Sequence, residues 1–294
     1  MNEENVYKYV LLLSINPGGP QGGSASQYFI GDFDGKSFSV SKEHDYNSDP
    51  LWLDEGFDFY AVTTFHNEPN YLKEKNYKLG IGWLSNWNYA NKLPTETWRG
   101  MQSFPRELFL KRTQKGYRLF NRFAKEPLES MIKKTFEFKN TKNMTELNSF
   151  IKHDVENKES LFLSVIYSLE ANKNIPVFGI KLRKSEDEET IIEFRSENST
   201  LVFDRRNSGL TSFADNFAGK NEIIIDSENK KLVLEILVDK CSVEILINEG
   251  EKSLSNLIFP KNANSGFEFY GSTEIERVEI GLIDVIEKKL IKNE

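Results

Sequence analysis

A single cysteine, Cys241, and three scattered histidines, His44, His66 and His153, are all that 294 residues offer in thiol or imidazole ligands. One thiol cannot close an internal disulfide or build a cysteine-based zinc site, and histidines this far apart form no ligand cluster. No metal and no cofactor is expected. Basic residues are also in deficit, with 38 Lys and Arg against 45 Asp and Glu, a net charge of -7 and an isoelectric point near 5.3. With no clustered basic patch, nucleic acid is excluded as a partner. Apolar runs are short; Val10-Leu11-Leu12-Leu13 is among the longest, far below what a membrane span requires. The first residues, Met1-Asn2-Glu3-Glu4-Asn5, are polar and acidic and do not read as a secretory signal, so the compartment stays open.

What the chain does have is aromatic: 22 Phe, 11 Tyr and 4 Trp, residues that suit strands. Residues 9–15 form an apolar run fit for a buried strand. The segment 16–26, with four Gly and two Pro, must be a loop. Residues 27–33 and 38–40 flank Asp34-Gly35, a hairpin signal. Further strands are predicted over 57–65 and 78–84, with a last pair over 101–111. Many short strands at even spacing indicate propeller blades or a sandwich. The pattern blurs over 116–130, broken by Lys125-Glu126-Pro127, which reads as a connector. Strands then recur to the end. The clearest hairpin joins 231–238 to 242–248, where Val243, Ile245 and Ile247 alternate with Ser242, Glu244 and Leu246, so one face is expected in the core and the other mostly in solvent. The charged run 183–189 reads as a solvated turn.

The most informative stretch is Leu79-Gly80-Ile81-Gly82-Trp83-Leu84-Ser85-Asn86-Trp87-Asn88-Tyr89-Ala90, running on to Pro94-Thr95-Glu96-Thr97-Trp98-Arg99-Gly100. An aromatic ring covers the apolar C–H face of a sugar while neighbouring amides and hydroxyls bond its oxygens, so this composition suits a carbohydrate. The plain alternative is that Trp83 and Trp87 are core residues of a β domain.

The ordered run resembles glycoside hydrolase family 32, the levanase, inulinase and invertase group, and its levanase-like branch in particular. Other segments agree in order: Ser14-Ile15-Asn16-Pro17-Gly18-Gly19-Pro20, then Trp52-Leu53-Asp54-Glu55-Gly56-Phe57-Asp58-Phe59-Tyr60-Ala61, then Ser103-Phe104-Pro105-Arg106-Glu107-Leu108. Downstream, Leu201-Val202-Phe203-Asp204-Arg205-Arg206 and Val238-Asp239-Lys240-Cys241-Ser242-Val243-Glu244-Ile245 are similar to the family's C-terminal sandwich. The resemblance implies an all-β chain: the last blades of a five-bladed β-propeller over 1–115, a connector over 116–130 and a β-sandwich over 131–294. Between blades, a cut propeller leaves open strand edges and an uncovered apolar face.

Retaining glycosidases need a nucleophilic carboxylate and an acid/base carboxyl about 5 Å apart. In the family these lie in Asn-Asp-Pro-Asn-Gly and Glu-Cys motifs, with a stabilising Asp in Arg-Asp-Pro. Asn47-Ser48-Asp49-Pro50 echoes the first only superficially, and Cys241 follows Lys240 rather than Glu. The expectation is therefore a C-terminal part of a β-fructosidase that contains no catalytic residue of its own and is inactive alone. Fructan or sucrose is the implied ligand, bound weakly in isolation, with an N-terminal companion polypeptide as the implied partner. The alternative is a companion or carbohydrate-binding module that completes a site with a second chain. The resemblance further implies that Asp54 accepts hydrogen bonds from the fructosyl hydroxyls, that Trp83 lines the same subsite and that Trp87 flanks it. The plain reading of Asp54-Glu55-Gly56-Phe57-Asp58 is turn chemistry, and Glu107 is a carboxyl without a catalytic task.

Overall fold

The computed structural model describes residues 7–283 apart from 156–157, 227–228, 263–265 and 273. Strands β1 (Tyr9–Ile15), β2 (Ala25–Phe33) and β3 (Phe38–Val40) form an antiparallel sheet in the order β1-β2-β3. The segment around Trp52 bridges to Gln27, so it pairs with the first half of β2, while β3 pairs with its last residues. The β2–β3 turn is where the Asp34-Gly35 pair predicts it: the Asp34 carboxylate accepts from the backbone N–H of Lys36 and Ser37.

The second sheet contains β4 (Tyr60–Thr64), β5 (Lys78–Leu84), β6 (Met101–Gln102), β7 (Arg106–Thr113) and β8 (Gly116–Phe123), ordered β4-β5-β7-β8 with β6 beside β5. Two sequence expectations are corrected here. The strand predicted from residue 57 begins at Tyr60, because the preceding backbone is pledged to the other half of the molecule. The predicted connector over 116–130 loses its first half: Gly116 to Phe123 pair residue for residue with Thr113 to Arg106. The Thr113–Gly116 turn hides this strand from a reader of periodicity, since four of its eight residues are polar or Gly. The connector is α2 (Lys125–Met131), preceded by the short helix α1 (Asn70–Glu74) within the second sheet's loops.

The remaining strands are β9 (Ile132–Thr141), β10 (Leu161–Ser168), β11 (Val177–Lys184), β12 (Thr190–Arg195), β13 (Thr200–Asp204), β14 (Lys220–Ile224), β15 (Lys231–Val238), β16 (Ser242–Ile247), β17 (Lys252–Leu257), β18 (Gly266–Tyr270) and β19 (Ile275–Ile283). They make a six-stranded sheet, β17-β16-β15-β10-β19-β9, facing a five-stranded one, β14-β13-β12-β11-β18. Alternate residues of facing strands fill the space between: Leu163 and Val165 of β10, Ile180 of β11, Ile236 of β15, Ile245 of β16 and Ile280 of β19 are wholly buried in one cluster. Helix α3 (Met144–Phe150) closes one end; its N-cap Asn143 side chain accepts from the backbone N–H of Glu146. No described helix is long and apolar enough to cross a membrane.

Burial departs from expectation at two strands. The run Tyr9-Val10-Leu11-Leu12-Leu13-Ser14-Ile15 forms its strand but is not buried: Tyr9, Leu11 and Leu13 are 52, 37 and 40% exposed, because among the described residues nothing packs over that face of the sheet. Conversely, all six residues of β16 are buried, Ser242, Glu244 and Leu246 included. The face that alternation assigns to solvent is covered by the second sheet, and the reason lies in the site described next.

Candidate functional site

Where the two halves meet, residues 54–58 run beside β17 and bond to it as a strand would. The Glu55 N–H donates to the Ser253 carbonyl at 2.8 Å and the Asp58 N–H to the Ser255 carbonyl at 2.9 Å. The Ser255 N–H donates to Asp54 Oδ1 and the Leu257 N–H to Asp58 Oδ2, each at 2.8 Å. Gly56 is required by this approach, since a Cβ there would collide with the Ser255 backbone.

Each carboxylate is then capped by a buried arginine. Arg106, from β7, donates to Asp54 Oδ2 at 3.0 Å and to Glu244 Oε2 at 2.8 Å, and also to Ser255 Oγ, Ser253 Oγ and Asn121 Oδ1. Its guanidinium lies 4.6 Å from the Phe59 ring centre. Arg205, just past β13, donates to Asp58 Oδ2 at 2.6 Å, to the Tyr89 hydroxyl and to the carbonyls of Phe217 and Leu257, with the Phe217 ring 3.9 Å away. Tyr89 in turn donates to Asp58 Oδ1 at 2.5 Å. Side chains of Arg106, Arg205, Asp54 and Asp58 are at most 1% exposed. One arginine comes from the blade and reaches into the sandwich; the other comes from the sandwich and reaches into the blade. Charges removed from water in this way need full hydrogen bonding to be tolerated. Here nearly every polar atom is bonded, the exceptions being the Arg106 Nε and, on β17, the Asn256 Nδ2.

This geometry corrects the role expected for Asp54. Both of its oxygens are engaged by Arg106, Ser255 and the Gly56 N–H, so a sugar hydroxyl could reach it only by displacing a buried ion pair. Glu244 and Asp54 sharing one guanidinium superficially resembles an acid–base pair. Burial pushes the Glu244 carboxyl up, against the pull of Arg106, yet the pair is sealed from solvent. Glu107 is likewise committed: it accepts from the Tyr71 hydroxyl, from Arg122 and from the Lys125 N–H, and its side chain is fully buried.

The tryptophans are different. The end of β5 turns outward at Leu84, and the chain from Ser85 to Asn88 is held against the glycine-rich loop 18–24. Asn86 organises that contact: its amide donates to the Gly22 and Phe57 carbonyls, and its oxygen accepts from the Ser24 and Asn88 N–H groups. The Trp87 N–H donates to Ser24 Oγ at 3.0 Å. So anchored, Trp87 leaves 51% of its surface exposed, and its ring centre lies 5.0 Å from that of Trp83 at an angle of 51°. Tyr60 of β4 adds a third ring, 6.2 Å from Trp83. On the far side the backbone turns at Gly100, φ +78°, so close over the Trp83 indole that any side chain would strike it. Trp98, on the same loop, is 40% exposed. Trp83 and Trp87 therefore come together, while Asp54 points to Arg106 and the sandwich. Sequence reading missed Asn86 as an organiser, although Asn86 and Asn88 flanking an exposed tryptophan were visible signals. It also missed Arg205 and Glu244, whose ion-pair partners lie more than 100 residues away. Among the described residues no group of three or more His, Cys, Asp or Glu could hold a metal ion.

Residues 1–121 match the glycosyl hydrolases family 32 N-terminal domain and residues 127–282 the family 32 C-terminal domain; the break between them falls at the start of α2. The chain is 35% identical over 274 residues to a levanase of Bacillus subtilis, covering 91% of this chain and 38% of the levanase. It is 32% identical to an extracellular exo-inulinase of Aspergillus niger, covering 93% of this chain and 51% of that enzyme. The crystal structure of exo-inulinase from Aspergillus awamori superposes with a TM-score of 0.80 at 28% identity, over 96% of this chain and 55% of the other. The chain thus spans about half or less of the length of these relatives. Its first two sheets are blades of the family's propeller and its last two are the family's sandwich. With both domain types matched in order across the connector, the chain belongs to glycosyl hydrolases family 32.

Proposed function

We propose that this chain provides the C-terminal, sugar-contacting part of a β-fructosidase acting on levan, inulin or sucrose, and that it contributes contacts rather than catalytic carboxyls. The observation that carries this reading is the Trp83–Trp87 pair, with Tyr60 behind it and Trp87 held outward by Asn86. Such a corner presents flat apolar surface next to amides, the combination a fructosyl ring needs. Asp54 serves it indirectly, by locking residues 54–58 to β17 so that Tyr60 and β4 start from a fixed point. The relatives' names, levanase and exo-inulinase, supply the substrate class. The carboxylates of Asp54, Asp58 and Glu107 are all buried and bonded, which supports the view that these three supply neither the acid nor the nucleophile.

Titration of the chain with 1-kestose, followed by intrinsic tryptophan fluorescence, tests the reading. A saturable change is expected, weakened about tenfold by Trp87→Ala, the scale of a lost ring contact. A response that Trp83→Ala and Trp87→Ala both leave unchanged would reject it.

A second reading, that further blades stack on this chain from the same polypeptide or from a companion, is favoured by one observation. Tyr9, Leu11, Leu13, Phe33 and Val40 form an exposed apolar face on the first sheet, the kind of surface a neighbouring blade covers.

A further inference from the structure

Between β1 and β2 the chain makes a turn that its residues dictate. Pro20 takes the second position, and Gly22 closes the turn by donating its N–H to the Gly19 carbonyl at 2.9 Å. Gly22 and Gly23 follow with φ of +75° and +66°, two left-handed residues in succession, which glycine adopts without strain. The turn lies against Asn86, since a Cβ on Gly23 would strike the Asn86 carboxamide oxygen.

Gln21, at the tip of the same turn, reaches the sandwich. Its Nε2 donates to Asn221 Oδ1 of β14 at 2.9 Å and to the Glu55 carbonyl at 3.4 Å. Asn221 is wholly buried, and its own amide donates to that same carbonyl at 2.6 Å. The other end of the turn holds the tryptophan corner. The Gly22 carbonyl accepts from the Asn86 amide at 3.2 Å, the Ser24 N–H donates to Asn86 Oδ1 at 3.2 Å, and Ser24 Oγ accepts the Trp87 N–H at 3.0 Å. A continuous series of bonds thus runs from β14 through Gln21, the turn and Asn86 to Trp87. The blade half supplies all of them except the first, where Gln21 brings in the sandwich. The half-exposed Trp87 ring takes its direction from the backbone that carries it.

We infer that Gln21 is a positioning residue through which the sandwich sets the direction of Trp87, and thereby the affinity of the corner for its ligand. Gln21 touches no ligand itself. Its bond to Asn221 keeps the turn from swinging on the Gly22-Gly23 pair. Without that bond Ser24 and Asn86, and with them Trp87, sample other orientations. That the ligand is a fructosyl saccharide rests on the function proposed above.

The test is an NMR comparison on the full chain with isotope-labelled tryptophan, which gives one indole N–H signal each for Trp52, Trp83, Trp87 and Trp98. In Gln21→Ala without sugar the Trp87 signal should shift and show greater mobility in its heteronuclear NOE. Trp98, whose carbonyl is held by the Thr95 hydroxyl on its own loop, should keep its signal. Affinity for 1-kestose should fall about fivefold, the scale of one neutral hydrogen bond. Asn221→Ala should reproduce the Trp87 signature, and the double variant should go no further than either single, because both cut one bond. A change in stability alone would leave the folded-state Trp87 signal where it was. Gln21 is half-buried on a loop, so its truncation leaves the fold intact, and the remaining indole signals report it. A Trp87 signal of unaltered position and mobility in Gln21→Ala would overturn the inference, whatever the sugar does. Trp87 freed by Gln21→Ala while the unsubstituted chain gives no response to 1-kestose would uphold the positioning and overturn the function proposed.

Discussion

Strand β1 and strand β16 are both rich in aliphatic residues, yet one leaves every second side chain in solvent while the other is buried on both faces. Among the described residues β1 has a strand neighbour on one side and nothing over its outer surface. β16 has strands on both sides, the sandwich core over one face and the blade over the other. The contrast teaches that apolar composition makes a strand, but burial belongs to what stacks on it. For β16 the covering sheet lies far away along the chain. It also explains where charge went: Glu244 on β16 is buried because Arg106 and Asp54 are brought to it by the neighbouring sheet.

The sharpest way to break the comparison is at the two-sided interface. Arg106→Ala removes the shared cation and leaves Asp54 and Glu244 buried without compensation, at an expected cost of about 3–5 kcal/mol. Urea denaturation reads this as a large shift in midpoint; a shift below about 1 kcal/mol would mean that water enters the interface freely. Next in size is the sandwich core itself. Ile245 is fully buried, so Ile245→Ala should cost about 2–5 kcal/mol.

An alkaline titration sharpens the same contrast within the first sheet. Tyr28, on its covered face, is pushed up to about 12 by burial, against the Leu119 N–H that its oxygen accepts and the nearby Arg118. A phenol raised in the folded state stays protonated where the unfolded one has ionised. Stability is therefore unaffected below pH 10 and falls as pH rises from 10 toward 12, by about 2 kcal/mol at most. Tyr28→Phe should flatten that part of the stability curve. The smallest effect is expected on the uncovered face. Leu13→Ser should change stability by less than about 0.5 kcal/mol, and a larger loss would show that the face is covered in solution.

Much of the fold is legible in the chain. The strands at 78–84 and 9–15, the Asp34-Gly35 turn and the 231–248 hairpin follow from period-two patterning and turn residues, because both are local. The tryptophan corner is legible for the same reason, its rings being four residues apart. The clamps are not: Asp54 finds Arg106 at a separation of 52 residues and Ser255 at 201, and no spacing rule reports that. Asp54-x-Gly56 reads as a turn or a sugar ligand, and Gly56 proves to be needed for close passage of another backbone. The same blindness misplaces β8, whose mixed polar residues make sense only beside β7 and the sandwich.

The central claim is that this chain carries sugar contacts while Asp54 and Asp58 are consumed in holding two halves together and Glu107 is committed within the blade. Fructose release by the purified chain, incubated separately with sucrose, levan and inulin, tests that most directly. The account predicts no release above a protein-free control, since removing the groups that act as a unit in a hydrolase costs several orders of magnitude in rate. Sustained release from any of the three would contradict it.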